Sequence, residues 1–420
     1  MADKKESVKK EEIKKPNNNI PTEKELLGGG EVSIIKLIDA LVASAYEARA
    51  SDIHVDPEDK EVRVRFRVDG VLHDSFVFSK GLQSEVVTRL KVLSGLRTDE
   101  HQMAQDGRFK VLVKPGLYVD IRLSIAPTYY GENAVMRLLA QEAEQEFSLD
   151  TLAFSEHNQK IILNAIKKPY GMILATGPTG SGKTTTLYTI IRMLNTPAVS
   201  IITIEDPIEY SIDGIEQIQV NARTGITFAA GLRSILRQDP NIIMVGEIRD
   251  EETAGIAVNA ALTGHLLLST LHTNDAPTTL PRLIDMKIEP FLIASTVNIA
   301  MGQRLLRRVC NDCKVPKKIA DSEIKSLSAV VNPEFFKAKT DFFVGKGCNL
   351  CEGGYKGRIG IHEVLEVTDA VREAIMKRAD ADEIHDIAVK EGMIPMIEDG
   401  LNKALDGLTT IEEIMRVIHE

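Results

Sequence analysis

The glycine-rich segment Gly177–Thr184 constrains this chain more than any other feature of its sequence. It satisfies the phosphate-binding pattern G-x-x-x-x-G-K-[ST] at every position, between an apolar run at 172–175 and a helix-forming segment. That strand–loop–helix order gives the motif its physical meaning. The glycines let backbone N–H groups point at phosphate oxygens, and the helix N-terminus adds partial positive charge. The sequence therefore predicts a nucleoside triphosphate site, since a glycine-rich loop with a surface lysine would not explain the complete match.

Two side chains of this segment have specific predicted roles. Lys183 is expected to reach the β- and γ-phosphates, and the Thr184 hydroxyl is expected to bind Mg²⁺. The predicted nucleotide-contacting residues are Gly177, Pro178, Thr179, Gly180, Ser181, Gly182, Lys183, Thr184 and Thr185.

Two acidic residues follow predicted strands. Glu247 comes after the apolar run 242–245, and Glu205 directly follows the run 201–204. Because ligands of parallel α/β sheets bind at the C-terminal ends of the strands, both carboxylates are expected to face the phosphate loop. One would bind Mg²⁺, and the other would orient or deprotonate water. Each acid alone is also compatible with a helix cap or a strand-end charge.

Two histidines flank the predicted strand 266–271. His265 precedes it, at a position where both packing and chemistry remain open. His272 follows at the C-terminal end of the strand, which is the edge where ligands bind. His272 is therefore the stronger candidate for the site.

The composition excludes some classes of partner. With 420 residues, of which 43% are apolar, two or three domains with substantial cores are expected. A formal net charge of −10 and a pI of about 5.6, without a basic stripe carrying aromatics, argue against nucleic acid as the main partner. Residues 1–15 lack the apolar core of a signal peptide or an anchor. Residues 253–274 carry no charge but contain a Thr-Gly break, so a buried helix over 254–262 and a buried strand over 266–271 are expected there instead of a membrane span.

The patterns along the chain predict an α/β protein of five segments. The expected order is a disordered polar tail (1–30), an α+β module (31–147), a P-loop core of the RecA-like, parallel-sheet type (148–305), a tetracysteine zinc subdomain (306–365) and C-terminal helices (366–420).

Apolar periodicity predicts the elements inside these segments. Residues 62–68 alternate strictly, and Asp69-Gly70 after them predicts a two-residue hairpin turn. The other predicted strands lie near 71–78, 108–113, 118–125, 134–139, 171–176, 199–204, 242–245 and 266–271. The predicted helices outside the P-loop core lie near 33–50, 82–94, 368–378, 381–391, 396–406 and 410–418.

All four cysteines fall into two C-x-x-C pairs, Cys310 with Cys313 and Cys348 with Cys351, separated by 34 residues. Four thiolates suit a tetrahedral Zn²⁺ in a closed, structural site without a catalytic role. Disulfides are the alternative, but the sequence shows no export signal, and a cytosolic compartment keeps thiols reduced. The long gap implies an inserted helical hairpin near 321–340.

Several arginines lie outside the predicted P-loop core. Arg63, Arg65 and Arg67 share one strand face and are most simply a solvated face or a salt-bridging subunit surface. Arg108 and Arg122 are candidates for arginine fingers directed at the γ-phosphate, because such fingers act in P-loop machines.

Together these segments resemble the motor ATPases of the secretion superfamily. Residues 50–57 (ASDIHVDP), 65–70 (RFRVDG) and 105–108 (QDGR) are similar to the N-terminal module of that family. The segments similar to its Walker A, Asp-box, Walker B and His-box motifs are 177–184, 204–209 (IEDPIE), 245–250 (VGEIRD) and 263–275. With the tetracysteine and 357–363 (GRIGIHE), the resemblance extends over residues 32–420 and favours the branch that drives type II secretion and type IV pilus assembly.

The resemblance implies roles for the candidate residues. It places Lys183 and Thr184 on ATP and Mg²⁺. It makes Glu205 the catalytic glutamate and places Glu247 at the metal. His272 becomes a sensor of the γ-phosphate.

The resemblance also implies a homohexameric ring in which Arg108 and Arg122 contact phosphate and the N-terminal module moves against the motor domain. The implied partner is a polytopic inner-membrane platform protein, through which a cytoplasmic motor acts indirectly on pilin or pseudopilin. No direct nucleic-acid partner is expected. Relatives usually carry a further N-terminal domain that docks to the platform, whereas about thirty polar residues precede the module here.

Other functions compete with pilus or pseudopilus assembly at this point. A pilus-retraction motor would carry the same motifs, but that branch resembles this chain without the zinc insertion. A DNA-uptake or DNA-translocating ATPase would require basic loops or a basic channel. A non-enzymatic zinc adaptor would leave the P-loop and both acids unexplained.

Overall fold

The computed structural model describes residues 21–27, 33–139, 148–319 and 341–418. The chain divides into an N-terminal unit, Met1–Glu142, and a C-terminal unit, Ala143–Glu420. The helical hairpin expected near 321–340 lies outside the described residues.

The expected disordered tail, 1–30, also lies mostly outside the described residues. Within it, however, Glu23–Leu26 form a one-turn helix, α1, and Thr22 makes a β-bridge to Val77. This part of the tail is therefore ordered against the N-terminal unit, contrary to the expectation.

The N-terminal unit is an antiparallel sheet whose apolar face carries two helices. Its strands are β1 (Ala50–Pro57), β2 (Glu61–Val68), β3 (Val71–Ser79), β4 (Gln105–Lys114), β5 (Leu117–Thr128) and β6 (Gly131–Leu139). Their order in the sheet is β3-β2-β1-β6-β5-β4. The helices α2 (Ile34–Glu47) and α3 (Gln83–Leu93) share one hydrophobic core with the sheet.

Strand β2 shows why the sequence forms this sheet. Val62, Val64 and Phe66 are buried, whereas the arginines between them lie on the opposite face. Asp69 and Gly70 have φ values of 49° and 88°, as the predicted two-residue hairpin turn requires. Among the described strands of this unit, the prediction missed only β1, because its buried Asp52 interrupts the apolar pattern.

The described residues of the C-terminal unit form nine strands. They are β7 (Gly171–Thr176), β8 (Ile201–Glu205), β9 (Glu216–Gln219), β10 (Ile242–Val245), β11 (Leu266–Leu271), β12 (Val297–Val309), β13 (Lys314–Lys318), β14 (Asp341–Gly345) and β15 (Tyr355–Glu366). Seven form the main sheet, in the order β15-β12-β7-β11-β10-β8-β9. All neighbouring pairs in it are parallel except β12 with β15.

Helices cover this main sheet. They are α4 (Glu156–Ile166), α5 (Lys183–Leu194), α6 (Phe228–Ile235), α7 (Glu251–Leu262), α8 (Ala276–Asp285) and α9 (Pro290–Thr296). Every residue of β7 and β11 is buried, as expected for parallel strands covered on both faces. The uncharged segment 253–274 forms part of α7 and then β11, as predicted. Among the described residues, no helix is long and apolar enough to cross a membrane.

The structure differs from the separate zinc subdomain expected over 306–365. The end of β12 and nearly all of β15 fall in that range, yet both strands belong to the main sheet. Of the described residues in that range, the antiparallel pair β13–β14 and the turns that carry the cysteines lie outside the main sheet. The cysteines marked a boundary in the sequence that the strand pairing does not follow.

In the described residues after β15, up to 418, four helices lie within two residues of their predicted bounds. They are α10 (Asp369–Met376), α11 (Ala381–Lys390), α12 (Met396–Leu405) and α13 (Ile411–Ile418). In α13, the buried Glu413 accepts hydrogen bonds from Arg307 of β12 at 2.5 Å and from Arg416 at 2.9 Å. This carboxylate therefore ties the last helix to the main sheet.

Candidate nucleotide site

The P-loop connects β7 to α5, as the motif predicts. Gly177, Gly180 and Gly182 all have positive φ values, of 139°, 80° and 89°. A Cβ atom on Gly177 would lie 2.4 Å from the carbonyl oxygen of Gln303, so only glycine fits there. The loop therefore needs its glycines for backbone conformation and for close packing against β12.

Lys183 is the first residue of α5 and is largely buried. Its Nζ atom donates hydrogen bonds to the carbonyl oxygens of Gly177, at 2.7 Å, and Pro178, at 3.0 Å. Burial lowers the pKa of Lys183 to about 8, although the charge of Glu247 acts in the opposite direction. An anion beside this ammonium would favour its charged form.

Glu247 lies just beyond β10, where three elements of the sheet edge converge. One carboxylate oxygen is 3.2 Å from Nε2 of His272, at the end of β11, and the other pairs with Arg249 at 2.5 Å. The following Thr273 is tied to the P-loop strand, because its N–H donates to Oγ1 of Thr176 at 3.1 Å. The structure thus brings Glu247 and His272 together at the edge of the sheet from which the P-loop emerges.

Glu205 ends β8, and β8 pairs directly with β10, with Ile204 beside Val245. The two predicted acids therefore follow neighbouring strands. The Glu205 carboxylate is buried and accepts hydrogen bonds from Tyr188, from Thr203 at 2.5 Å and from Gln217 at 3.2 Å. Burial raises the pKa of Glu205, and these three hydrogen bonds oppose that change. The expectation that this carboxylate points at the P-loop is not matched by any hydrogen bond among the described residues.

Among the described residues, His265 contacts the end of a helix and not the candidate site. Its Nδ1 atom lies 2.9 Å from the carbonyl oxygen of Ala260 in the last turn of α7. The ring therefore satisfies a helix-end carbonyl, and of the two histidines only His272 contacts a candidate site residue.

The candidate arginines of the N-terminal unit fall into two groups. Those of β2 are ion-paired, Arg63 with Glu58 at 2.8 Å and Arg65 with Asp56 at 2.8 Å. Arg108 and Arg122 instead lie opposite each other on β4 and β5. Neither has an acidic partner within ion-pair distance in the described part of the chain, and like charges directly opposite each other on paired strands repel.

The four cysteines converge as predicted. Their Sγ atoms all lie within 4.8 Å of one another, and the closest pairs are 3.6–3.9 Å apart. The cysteines are free thiols, and these separations are far longer than a disulfide bond. Four thiolates at the usual Zn–S distance of about 2.3 Å would be spaced about 3.8 Å apart, so the cluster is compatible with Zn²⁺.

Comparison with known proteins gives this site its context. The sequence matches the family described as "Type II/IV secretion system protein" over residues 29–416. It is 44% identical over 386 residues to the type IV pilus assembly ATPase PilB of Myxococcus xanthus (strain DK1622), covering 92% of this chain and 68% of the relative. It is 46% identical over 406 residues to the type II secretion system ATPase E of Vibrio cholerae serotype O1, covering 96% of this chain and 78% of the relative.

The chain belongs to this secretion ATPase family. It is an ATP-hydrolysing enzyme, as its sequence predicts. A solved structure of the pilus retraction motor PilT with bound ADP is also similar, with a TM-score of 0.62 and 25% identity, over 90% of this chain and 96% of that one.

In this secretion ATPase, sequence analysis missed several residues around the P-loop. Gln303 of β12 donates from Nε2 to the carbonyl oxygen of Ser181 at 2.7 Å, and it is buried. Tyr188 and Gln217 surround Glu205. Arg249 was visible in the VGEIRD segment, but nothing in the pattern assigned it to Glu247. None of the four belongs to a pattern that signals its contact, because each meets the site only through folding.

Proposed function

We propose a mechanism for this motor ATPase of type IV pilus assembly or type II secretion. MgATP binds at the P-loop of a RecA-like core, and the carboxylates that follow β8 and β10 act on the attacking water and the metal. The observation that carries this proposal is the contact between Glu247 and His272, beside Lys183 and the P-loop strand.

The P-loop residues hold the phosphates in this mechanism. Backbone N–H groups of 177–182 and the Lys183 ammonium bind the β- and γ-phosphates. Thr184 and Glu247 have the oxygen donors that Mg²⁺ prefers, and the bound ion would neutralise charge on the phosphates. Lys183 exchanges its two carbonyl partners for phosphate oxygens, whose negative charge favours the charged form of its ammonium.

Glu205 and His272 act on the reaction itself. Glu205 orients or deprotonates the attacking water, for which a carboxylate with a raised pKa is suited. His272 is half-exposed and hydrogen-bonded to Glu247. It contacts the γ-phosphate, so that the loop after β11 responds to bound ATP.

Arg108 and Arg122 contact phosphate as arginine fingers in a homohexameric ring. Their like charges, adjacent across two strands, form a local site for an anion. The ring works in the cytoplasm on a polytopic inner-membrane platform protein, and so acts indirectly on pilin or pseudopilin. The tetracysteine holds one structural Zn²⁺ that orders β13 and β14.

The likeness to PilT, a retraction motor whose solved structure contains ADP, keeps pilus retraction as a second candidate. The tetracysteine favours assembly over retraction. A DNA-translocating role has no support from the charge of the chain, which is −10.

Lys183→Ala tests the nucleotide site, with the exposed Lys167→Ala as a matched control. Removing the buried ammonium should reduce ATP binding below detection and abolish hydrolysis, while the control keeps both. Equilibrium binding of a fluorescent ATP analogue and phosphate release are the measurements. Normal binding by folded Lys183→Ala protein would refute the assignment of the site.

A further inference from the structure

Glu205 is enclosed by hydrogen-bond donors from three elements. Tyr188 of α5 donates its phenolic O–H to one carboxylate oxygen, and Thr203 of β8, at 2.5 Å, and Gln217 of β9, at 3.2 Å, donate to the other. Gln217 also lies 3.4 Å from the Tyr188 hydroxyl. Both oxygens of the candidate catalytic glutamate are therefore held from the side of the sheet that α5 covers.

A phenylalanine ring could pack in the same place as Tyr188, so packing alone does not require the hydroxyl. The side chain is fully buried, and its ring packs edge-on against Tyr210 with centroids 4.8 Å apart. Burying a hydroxyl is unfavourable unless it forms a hydrogen bond, and this one bonds to an ionisable group. The hydroxyl thus belongs to a buried polar cluster centred on Glu205.

We propose that Tyr188, together with Thr203, is a positioning residue for Glu205. The two hydroxyls fix the orientation of the carboxylate that acts on the attacking water. The inference rests on the proposed role of Glu205 in hydrolysis.

Tyr188 lies on the same helix as the phosphate-binding Lys183. It follows Lys183 by five residues in α5. One rigid element therefore carries both the phosphate-binding lysine and the group that orients Glu205. A displacement of α5 on nucleotide binding would reach the carboxylate directly through this hydrogen bond.

The hydrogen bonds also set the charge state of Glu205. Burial raises the pKa of Glu205, the donors Thr203, Tyr188 and Gln217 lower it, and the nearby carboxylate of Glu209 raises it. Removing the Tyr188 hydroxyl should therefore raise the pKa of Glu205 further. A general base with a higher pKa loses activity at a higher pH on the acidic side of the profile.

Tyr188→Phe in the whole 420-residue chain tests the proposal, with the exposed Tyr170→Phe as a matched control. The rate of single-turnover ATP hydrolysis is measured from about pH 5 to 9, alongside ATP affinity. We expect the acidic limb to move to higher pH by on the order of one unit and the rate at pH 7 to fall on the order of tenfold, with ATP affinity unchanged. Tyr170→Phe should match the parent chain.

Thr203→Val provides a second, isosteric variant that removes the other hydroxyl without touching α5. It should move the acidic limb in the same direction. If both variants fold and bind ATP but keep the parent pH profile, the proposal is overturned. Glu205→Gln, measured in parallel, separates the two claims. An inactive Glu205→Gln with unshifted hydroxyl variants rejects only the positioning role, whereas an active Glu205→Gln rejects the role of Glu205 and with it this inference.

Discussion

Nε2 of His272 lies 3.2 Å from a carboxylate oxygen of Glu247, so the residues that follow β11 and β10 meet at one point. The other oxygen of Glu247 pairs with Arg249 at 2.5 Å. The carboxylate is therefore held from two sides. Its negative charge also raises the pKa of Lys183, against the effect of burial. This arrangement couples the candidate metal ligand to the candidate phosphate sensor.

His272→Ala should leave ATP binding nearly intact and slow hydrolysis, because the imidazole would contact the γ-phosphate mainly during the reaction. A loss on the order of 10- to 100-fold in turnover is expected, at or below the usual contribution of one positioned group. Steady-state phosphate release is the measurement. His265→Ala is the control, since that ring meets only the carbonyl of Ala260 among its described hydrogen bonds. Equal turnover in the two variants would contradict the sensor role.

Arg108→Ala and Arg122→Ala should each reduce turnover, because an arginine finger contributes roughly 10³-fold or more. Arg63→Ala, whose guanidinium is ion-paired with Glu58, should have little effect. The measurement is turnover at saturating ATP, on protein shown to be assembled into its oligomer. Parent-like rates in both finger variants would leave the two arginines with no part in hydrolysis.

Purified protein should contain about one zinc per chain by elemental analysis. Replacing Cys348 and Cys351 with Ser should remove the metal and disorder β13 and β14, since metal binding in such sites is folding free energy. The parallel strands of the main sheet have their own core, so ATP binding should persist. An intact fold with four free thiols and no zinc would contradict the metal assignment.

Glu413 should make stability depend on acidity. Burial by itself raises the pKa of Glu413, but the hydrogen bonds from Arg416 and Arg307 outweigh it and hold the pKa at about 2. The stabilisation is therefore fully present above the unfolded value, about 4.3, and is lost as the pH falls toward 2.

Glu413→Gln should consequently lower the free energy of unfolding by about 1–3 kcal/mol at pH 7 and by less at pH 3. Urea denaturation at the two pH values gives both numbers. Glu373→Gln is the control, because Glu373 forms an exposed ion pair with Lys377. It should change the free energy of unfolding little at either pH. An equal loss at both pH values would contradict the account of Glu413.

The sequence predicted the parts of this fold that are coded locally. The P-loop, the hairpin turn at Asp69-Gly70 and the four C-terminal helices each carry their own pattern of glycines or apolar residues. Strands β12 and β15 do not, because arginines and glycines interrupt them, and their pairing is set by the finished sheet. The contact of Tyr188 likewise has no local signal, since its partner Glu205 lies seventeen residues away on a strand.

In the candidate site, too, the positions of the acids were predictable and their contacts were not. Placing Glu205 and Glu247 on neighbouring strands needed only the order of a parallel sheet, and the pairing of β8 with β10 confirms it. Which groups surround each carboxylate depended on packing between elements, which no local pattern encodes.

Turnover of Glu205→Gln at saturating ATP is the most direct test of the account. The amide keeps the shape of the side chain but cannot accept a proton from water, so ATP binding should remain and hydrolysis should fall on the order of 10²–10⁴-fold. Glu366→Gln, at the exposed end of β15 and outside the candidate site, serves as the matched control and should hydrolyse ATP at close to the parent rate. A Glu205→Gln variant with near-parent turnover would contradict the account.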